Sequence, residues 1–179
     1  LGFSKSDMIN EFYDKEIYHF DNKLKKWKTK FNPDNYKSKN FSEEIIDAKT
    51  NKIVIKKGEK INYLKAKKLH SDGLKEIYVD SQFLYGKYIV KQFSLGNDVF
   101  KIGTEINETI TKKAIEENLT IIETAFTNSI NKGPYLLQTI FNDKNETKHE
   151  AINEIYKVLR PGEPPTIEIA SQIFNNLFF

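Results

Sequence analysis

The chain has no cysteine, one arginine, one methionine, one tryptophan and five prolines in 179 residues. The missing cysteine excludes disulfides, thiolate metal sites and thiol nucleophiles, and it fits a reducing, cytoplasmic setting. No apolar run approaches membrane-spanning length, so no membrane partner is expected. The start, "LGFSKSDMIN", lacks the basic and long apolar stretches of a secretory leader. It also lacks an initiator Met and reads as a cut end. The glycines form neither GxGxxG nor a P-loop, which argues against a nucleotide cradle. His19, His70 and His149 are scattered with no metal-ligand spacing, and no GxSxG marks a serine nucleophile. The carboxylate pairs Glu43-Glu44 and Glu116-Glu117 are adjacent, and neighbours on a helix do not share a face. Independent catalysis is therefore not expected of this chain.

What is present is a lysine-rich, aromatic-rich sequence long enough for one domain or two small ones. The net charge of +3 is too small to name a partner. Heavy use of Lys, Ile and Asn fits codon bias in an AT-rich genome. Against that background Arg160 stands out. Either a planar fork is needed there, or it is an ordinary surface ion pair.

Residues 5–20 have helical spacing in Met8, Ile9, Phe12, Tyr13 and Ile17, with Ser4 or Ser6 as cap and Asp7 in the first turn. In "LKKWKTKF" (24–31), Trp27, Thr29 and Phe31 alternate with Lys26, Lys28 and Lys30, the pattern of a strand with one lysine face. That face is either a phosphate-contacting stripe or a solvated surface. Residues 31–40 read as a loop turning at Asn32-Pro33-Asp34, a first boundary.

An internal repeat follows. Residues 54–77 align without a gap over 99–122, with nine of 24 positions identical. They include Gly58/Gly103, Asn62/Asn107 and Leu74/Leu119. Chance would give about two, so a structural duplication is expected. Each copy reads as a short strand (54–56, 99–102), a glycine turn, and a helix capped by Asn62 or Asn107 that ends near Gly73 or Asn118. A departing strand (74–79, 119–124) completes it, and 87–93 reads as a further strand. Two such copies about a pseudo-dyad suggest a small barrel-like or sandwich module.

The rest is mainly helical. "GPYLLQTI" (133–140) opens on a Gly-Pro turn and reads as extended. Thr147 and Glu150 form a capping box for a helix over 147–159, with Ala151, Ile152, Ile155, Tyr156 and Leu159 on one face. A last helix begins near Thr166 with the stripe Ala170, Ile173, Phe174, Leu177 and Phe178. That stripe strengthens toward the final Phe179, as if a neighbour were missing. Between the two helices, Pro161, Gly162, Glu163, Pro164 and Pro165 make a stiff loop that pre-positions Arg160 and Glu163. These two either face a ligand or satisfy the turn and each other. The fold class expected is α+β: a small, internally duplicated, β-rich module with short helices, flanked by helices at both ends.

"EIYKVLRPGEPPTIEIASQIFNNLFF" closely resembles a stretch of the bacterial DNA-directed RNA polymerase beta subunit family. "FTNSINKGPYLLQTI" is similar to the segment just upstream, and the two repeat halves resemble the external 1 insertion of the beta lobe. The first 31 residues resemble the lobe segment leading into it, less specifically. The resemblance implies three parts: lobe segment 1–40, external 1 insertion 41–125, and helical return into the lobe 126–179. It implies one wall of a DNA cleft and a docking surface for regulators within a nucleotidyltransferase. The partners implied are the remainder of beta, the beta-prime, alpha and sigma subunits, and DNA. No cofactor is expected in this segment, since the resemblance places the catalytic magnesium on beta-prime. It sets Arg160 toward the DNA strands, and the alternating lysine strand adds Lys26, Lys28 and Lys30 as further DNA-contact candidates. The rival reading is a free-standing protein-interaction module without catalysis, against which the exposed Phe178-Phe179 ending counts.

Overall fold

The computed structural model describes residues 3–36, 39–40, 43–128 and 132–179, with backbone alone at 39–40. Parts of the 31–40 loop, its boundary with the next segment, and residues 129–131 lie outside the described residues. The fold is α+β with antiparallel sheets. It divides into two compact units, 1–141 and 142–179.

The first unit opens with α1 (Lys5–Phe12), capped reciprocally by Ser4 and Asp7. The helix expected over 5–20 stops there. Tyr13 is extended, and residues from Lys15 onward form strand β1 (Lys15–Asp21). The spacing of Phe12, Tyr13 and Ile17 mimicked a helical stripe. In the strand Tyr18 and Phe20 are buried and Ile17 and His19 exposed, the two-residue alternation of one buried face. Strand β2 (Lys26–Lys30) returns beside it, with Phe20 opposite Trp27.

Strand β3 (Lys39–Asn40) pairs with β6 (Lys60–Ile61) in a separate two-stranded sheet. The first repeat copy and the residues leading into it supply β4 (Ile45–Asp47), β5 (Ile53–Ile55), α2 (Tyr63–Ser71) and β7 (Glu76–Val79). The second copy and the residues leading into it supply β8 (Tyr88–Ile89), the separate hairpin of β9 (Phe93–Leu95) and β10 (Asp98–Phe100), then α3 (Glu108–Glu116) and β11 (Ile121–Ala125). The single strand expected at 87–93 is thus split into β8 and the start of β9.

Seven strands make one sheet in the order β5-β4-β7-β2-β1-β11-β8. The two copies therefore build neither barrel nor sandwich. Their exit strands β7 and β11 flank the β1-β2 hairpin, which sits where a pseudo-dyad would pass. On the inner face Tyr18, Phe20, Trp27, Ile77, Val79 and Ile122 are buried beneath Ala66 of α2 and Ala114 of α3. Fully burying each aliphatic of this set contributes roughly 1.5–3 kcal/mol of transfer free energy.

The two helices match in detail. Asn62 and Asn107 accept the amide N–H of Lys65 and Ile110 at 2.8 and 3.0 Å. At the other end Leu74 donates to Leu69 and Leu119 to Ala114, the six-to-one bond of a Schellman cap. Gly73 and Asn118 take the positive φ this cap requires, 107° and 56°.

Residues 133–140, expected as extended, enter α4 (Tyr135–Asn142). Pro134 accepts the first helical bond, and Leu137 and Ile140 bury one turn apart against Ile9, Tyr13, Val90 and Ala125. The second unit is a helix pair, α5 (Lys148–Leu159) and α6 (Ile167–Phe178). The Thr147–Glu150 capping box and the Thr166 cap form as expected. Ile152, Tyr156, Ala170 and Phe174 make its small core.

Candidate functional site

The lysine strand lies mid-sheet. Trp27, Thr29 and Phe31 are buried, and the Trp27 indole N–H donates to Ser81 Oγ at 3.1 Å. Lys26, Lys28 and Lys30 share the opposite face, but they are not equivalent. Lys26 pairs with Asp80 at 2.5 Å and Lys28 with Glu76 at 3.3 Å, while Lys30 is exposed and has no carboxylate partner among the described residues. Antiparallel pairing supplies one partner directly, since β7 sets Glu76 opposite Lys30 and one step from Lys28. Two of the three charges are thus partly neutralised, by a carboxylate of β7 and by the residue that follows that strand.

Arg160 closes α5, donating its backbone N–H to Tyr156 O at 2.8 Å. The chain then turns at Gly162, where φ is +90°. Glu163 comes back under the helix end. Its carboxylate accepts from Tyr156 Oη at 3.1 Å and lies 3.6 Å from the Arg160 guanidinium. Burial, followed by the Glu163 hydrogen bond, raises the Tyr156 phenol above its ordinary pKa. The turn brings Arg160 and Glu163 together, yet the Arg160 side chain remains 56% exposed and its one ion pair among the described residues is long. Pro161, Pro164 and Pro165 hold this geometry without contributing any N–H. On the same helix pair Leu177, Phe178 and Phe179 are 57, 53 and 87% exposed.

Two features were not anticipated from sequence. Glu16 and Lys87, with side chains only 13 and 14% exposed, pair at 2.6 Å. Tyr18 Oη and Asn35 Nδ2 donate to the same carboxylate, and the Lys87 ammonium lies over the Tyr18 and Phe83 rings. Burial, then the Glu16 charge, pushes the Tyr18 phenol well up. This network ties the strand β1, the turn after β2 and the entry to β8 together. The second is a groove of about 580 Å³ where the end of β2 and the following 3₁₀ turn meet α2. Lys30 lies on its wall with Lys67, His70 and Lys75. No sequence motif announces it, because its walls come from positions some 35 residues apart.

Among the described residues no group of three or more His, Asp or Glu is placed to hold a metal ion. No helix among them is long and apolar enough to cross a membrane.

No family model matches the chain. Curated relatives do. It is 33% identical over 182 residues to the DNA-directed RNA polymerase subunit beta of Rhizobium leguminosarum bv. trifolii. It is 34% identical over 188 and 187 residues to the subunits of the same name from Rickettsia massiliae and Rickettsia rickettsii. Each match covers 100% of this chain and 13% of the relative, so the chain spans about an eighth of their length. Matched end to end along that stretch, the chain belongs to the DNA-directed RNA polymerase beta subunit family.

Proposed function

We propose that this chain works as a segment of the beta subunit of a DNA-directed RNA polymerase, as part of one wall of the cleft that holds DNA and as a docking surface for other proteins. The observation that carries this is the identity of one third along the entire chain to subunits of that name. The enzyme is a nucleotidyltransferase, and the segment contributes architecture rather than a chemical step. The catalytic magnesium belongs to beta-prime in this reading. Partners are the rest of beta, the beta-prime, alpha and sigma subunits, and promoter DNA, in the cytoplasm beside the nucleoid. The division into lobe segment 1–40, insertion 41–125 and helical return 126–179 is one of origin rather than of separate folding. Strands β1 and β2 share a sheet with the duplicated segment.

Within this reading Arg160 is the first candidate for a DNA contact. It is half exposed on a proline-stiffened turn, and one distant carboxylate leaves its fork open to phosphate oxygens. Lys26, Lys28 and Lys30 are secondary candidates, since two of them already carry carboxylate partners. The test is open-complex lifetime against salt in reconstituted polymerase carrying Arg160→Ala or Arg160→Lys. Arg160→Ala should shorten the lifetime and flatten its salt dependence, by about one phosphate contact. An unchanged lifetime and slope removes Arg160 from the DNA side. If Arg160→Lys behaves like the parent, the contact is a point charge and the fork is irrelevant.

A further inference from the structure

The two repeat copies differ most in charge where they should be alike. In α3, Glu108 pairs with Lys112 at 2.6 Å, one turn apart. The aligned residues of α2 are Tyr63 and Lys67, so an aromatic ring stands where the carboxylate would be, and the Lys67 ammonium lies 6.0 Å from its centroid. Between Tyr63 and Ser71 the helix carries Lys65, Lys67, Lys68 and His70 and no acidic residue, whereas α3 carries Glu108 and Glu116. Duplication of the fold does not require this imbalance, because α3 builds the same helix with balanced charge.

Lys65 is paired with Glu59, whereas Lys67 and His70 lie on the groove described above. Lys30, Lys67 and Lys75 line it, and none has a carboxylate partner among the described residues. Some lysines elsewhere have one, such as Lys26, Lys87 and Lys132, and others, such as Lys52 and Lys68, have none among the described residues. His70 Nε2 sits 3.4 Å from Lys75 Nζ, adding a further polar group on the same wall. Between these cations Tyr63 and Pro33 offer apolar surface. Asp34 and Glu76 also stand on the wall. An unbroken run of phosphates would meet those two carboxylates. A peptide places its negative side chains selectively and brings an apolar one to the tyrosine.

We propose that the groove between the end of β2 and α2 docks an acidic peptide segment of a protein partner, with Lys30, Lys67 and Lys75 holding its carboxylates and Tyr63 and Pro33 receiving an aromatic or aliphatic side chain. This deepens the docking part of the polymerase reading and rests on it only for the partner's setting. Binding is read by fluorescence anisotropy on the 179-residue chain. The probe is a short dye-labelled peptide of Asp and Glu flanking a single Phe. Saturable binding is expected, weakened about tenfold or more by Lys67→Glu and by Lys75→Glu, and less by Lys67→Gln. Lys112→Glu, at the aligned position of α3, should change it less than about twofold. Circular dichroism of each variant separates lost binding from lost fold. No saturation overturns the proposal, as does an equal loss with Lys112→Glu, which would mean diffuse charge attraction. An oligothymidylate that binds more tightly through the same lysines also overturns it, in favour of a nucleic-acid groove. The assay involves no transcription. Peptide binding by a chain that fails to join polymerase would sink the polymerase reading alone; a chain that joins but binds no peptide would sink the groove alone.

Discussion

The two copies of the repeat share their caps and differ in what surrounds them. Gly58 and Gly103 occupy the same turn, with φ of +76° and +85°. A Cβ on Gly58 would meet open space. One on Gly103 would collide with the Leu137 carbonyl oxygen and sit 2.8 Å from Phe141 Cβ. Helix α3 buries Ile110, Thr111 and Ala114, whereas α2 buries only Ala66. The second copy is thus built into its unit beneath α4, and the first presents an open helix with unbalanced lysines. A duplicated element can keep its backbone logic in both copies while one becomes structural and the other is left free to meet partners.

The largest expected effect separates the two glycines. Gly103→Ala forces α4 away as well as straining φ and should cost roughly 3 kcal/mol or more. Gly58→Ala carries only the φ penalty, about 1 kcal/mol. Urea midpoints of the two variants measure the gap, and equal losses would mean α4 does not pack on the second turn. The next effect should be the same in both copies. Asn62→Ala and Asn107→Ala each remove one side-chain acceptor from a helix start and should each cost about 1 kcal/mol. Loss at only one of them would break the matched-cap account. The smallest effect concerns pH. Glu59 accepts from Lys65 Nζ and from the Lys56 amide, and these bonds hold its carboxyl below the usual glutamate range. Its aligned partner Thr104 instead donates its hydroxyl to Lys101 O at 2.7 Å. The depressed folded-state pKa means that the Glu59 contribution is present above the unfolded glutamate pKa and is lost as pH falls through the folded value. The Lys56 amide shift should follow that low titration by NMR, while the Lys101–Thr104 turn stays flat. A titration of Glu59 at the ordinary position would remove the asymmetry.

How much of this was legible in the sequence depended on distance along the chain. The Asn62 and Asn107 caps and the Thr147–Glu150 box each lie within one turn, so residue type and spacing announced them, whereas the loop sequence left open whether Arg160 and Glu163 meet each other or a ligand. The alternation of Trp27, Thr29 and Phe31 was equally local. The region from Phe12 to Asp21 misled because its aromatics satisfy both periods. The strand state follows from pairing with β11, about a hundred residues later. For α4, Gly133-Pro134 looked like a turn signal, while the burial of Leu137 and Ile140 against α1 residues decided for helix. The Asp80 and Glu76 partners of the lysine strand, the Glu16–Lys87 pair and the groove at α2 all depend on strand order, which repeats and caps do not encode. The family itself was legible through the run from Arg160 to Thr166, and the identity along this whole chain agrees with it.

The most direct test of the central claim is a split-subunit reconstitution. This chain is supplied with the flanking pieces of beta and the other polymerase subunits, and promoter-dependent RNA synthesis is measured with and without it. The account predicts that the chain joins the assembly and that transcription or open-complex lifetime depends on it. A chain that never joins the assembly, or an assembly whose transcription and open-complex lifetime are unchanged by its absence, would contradict the account.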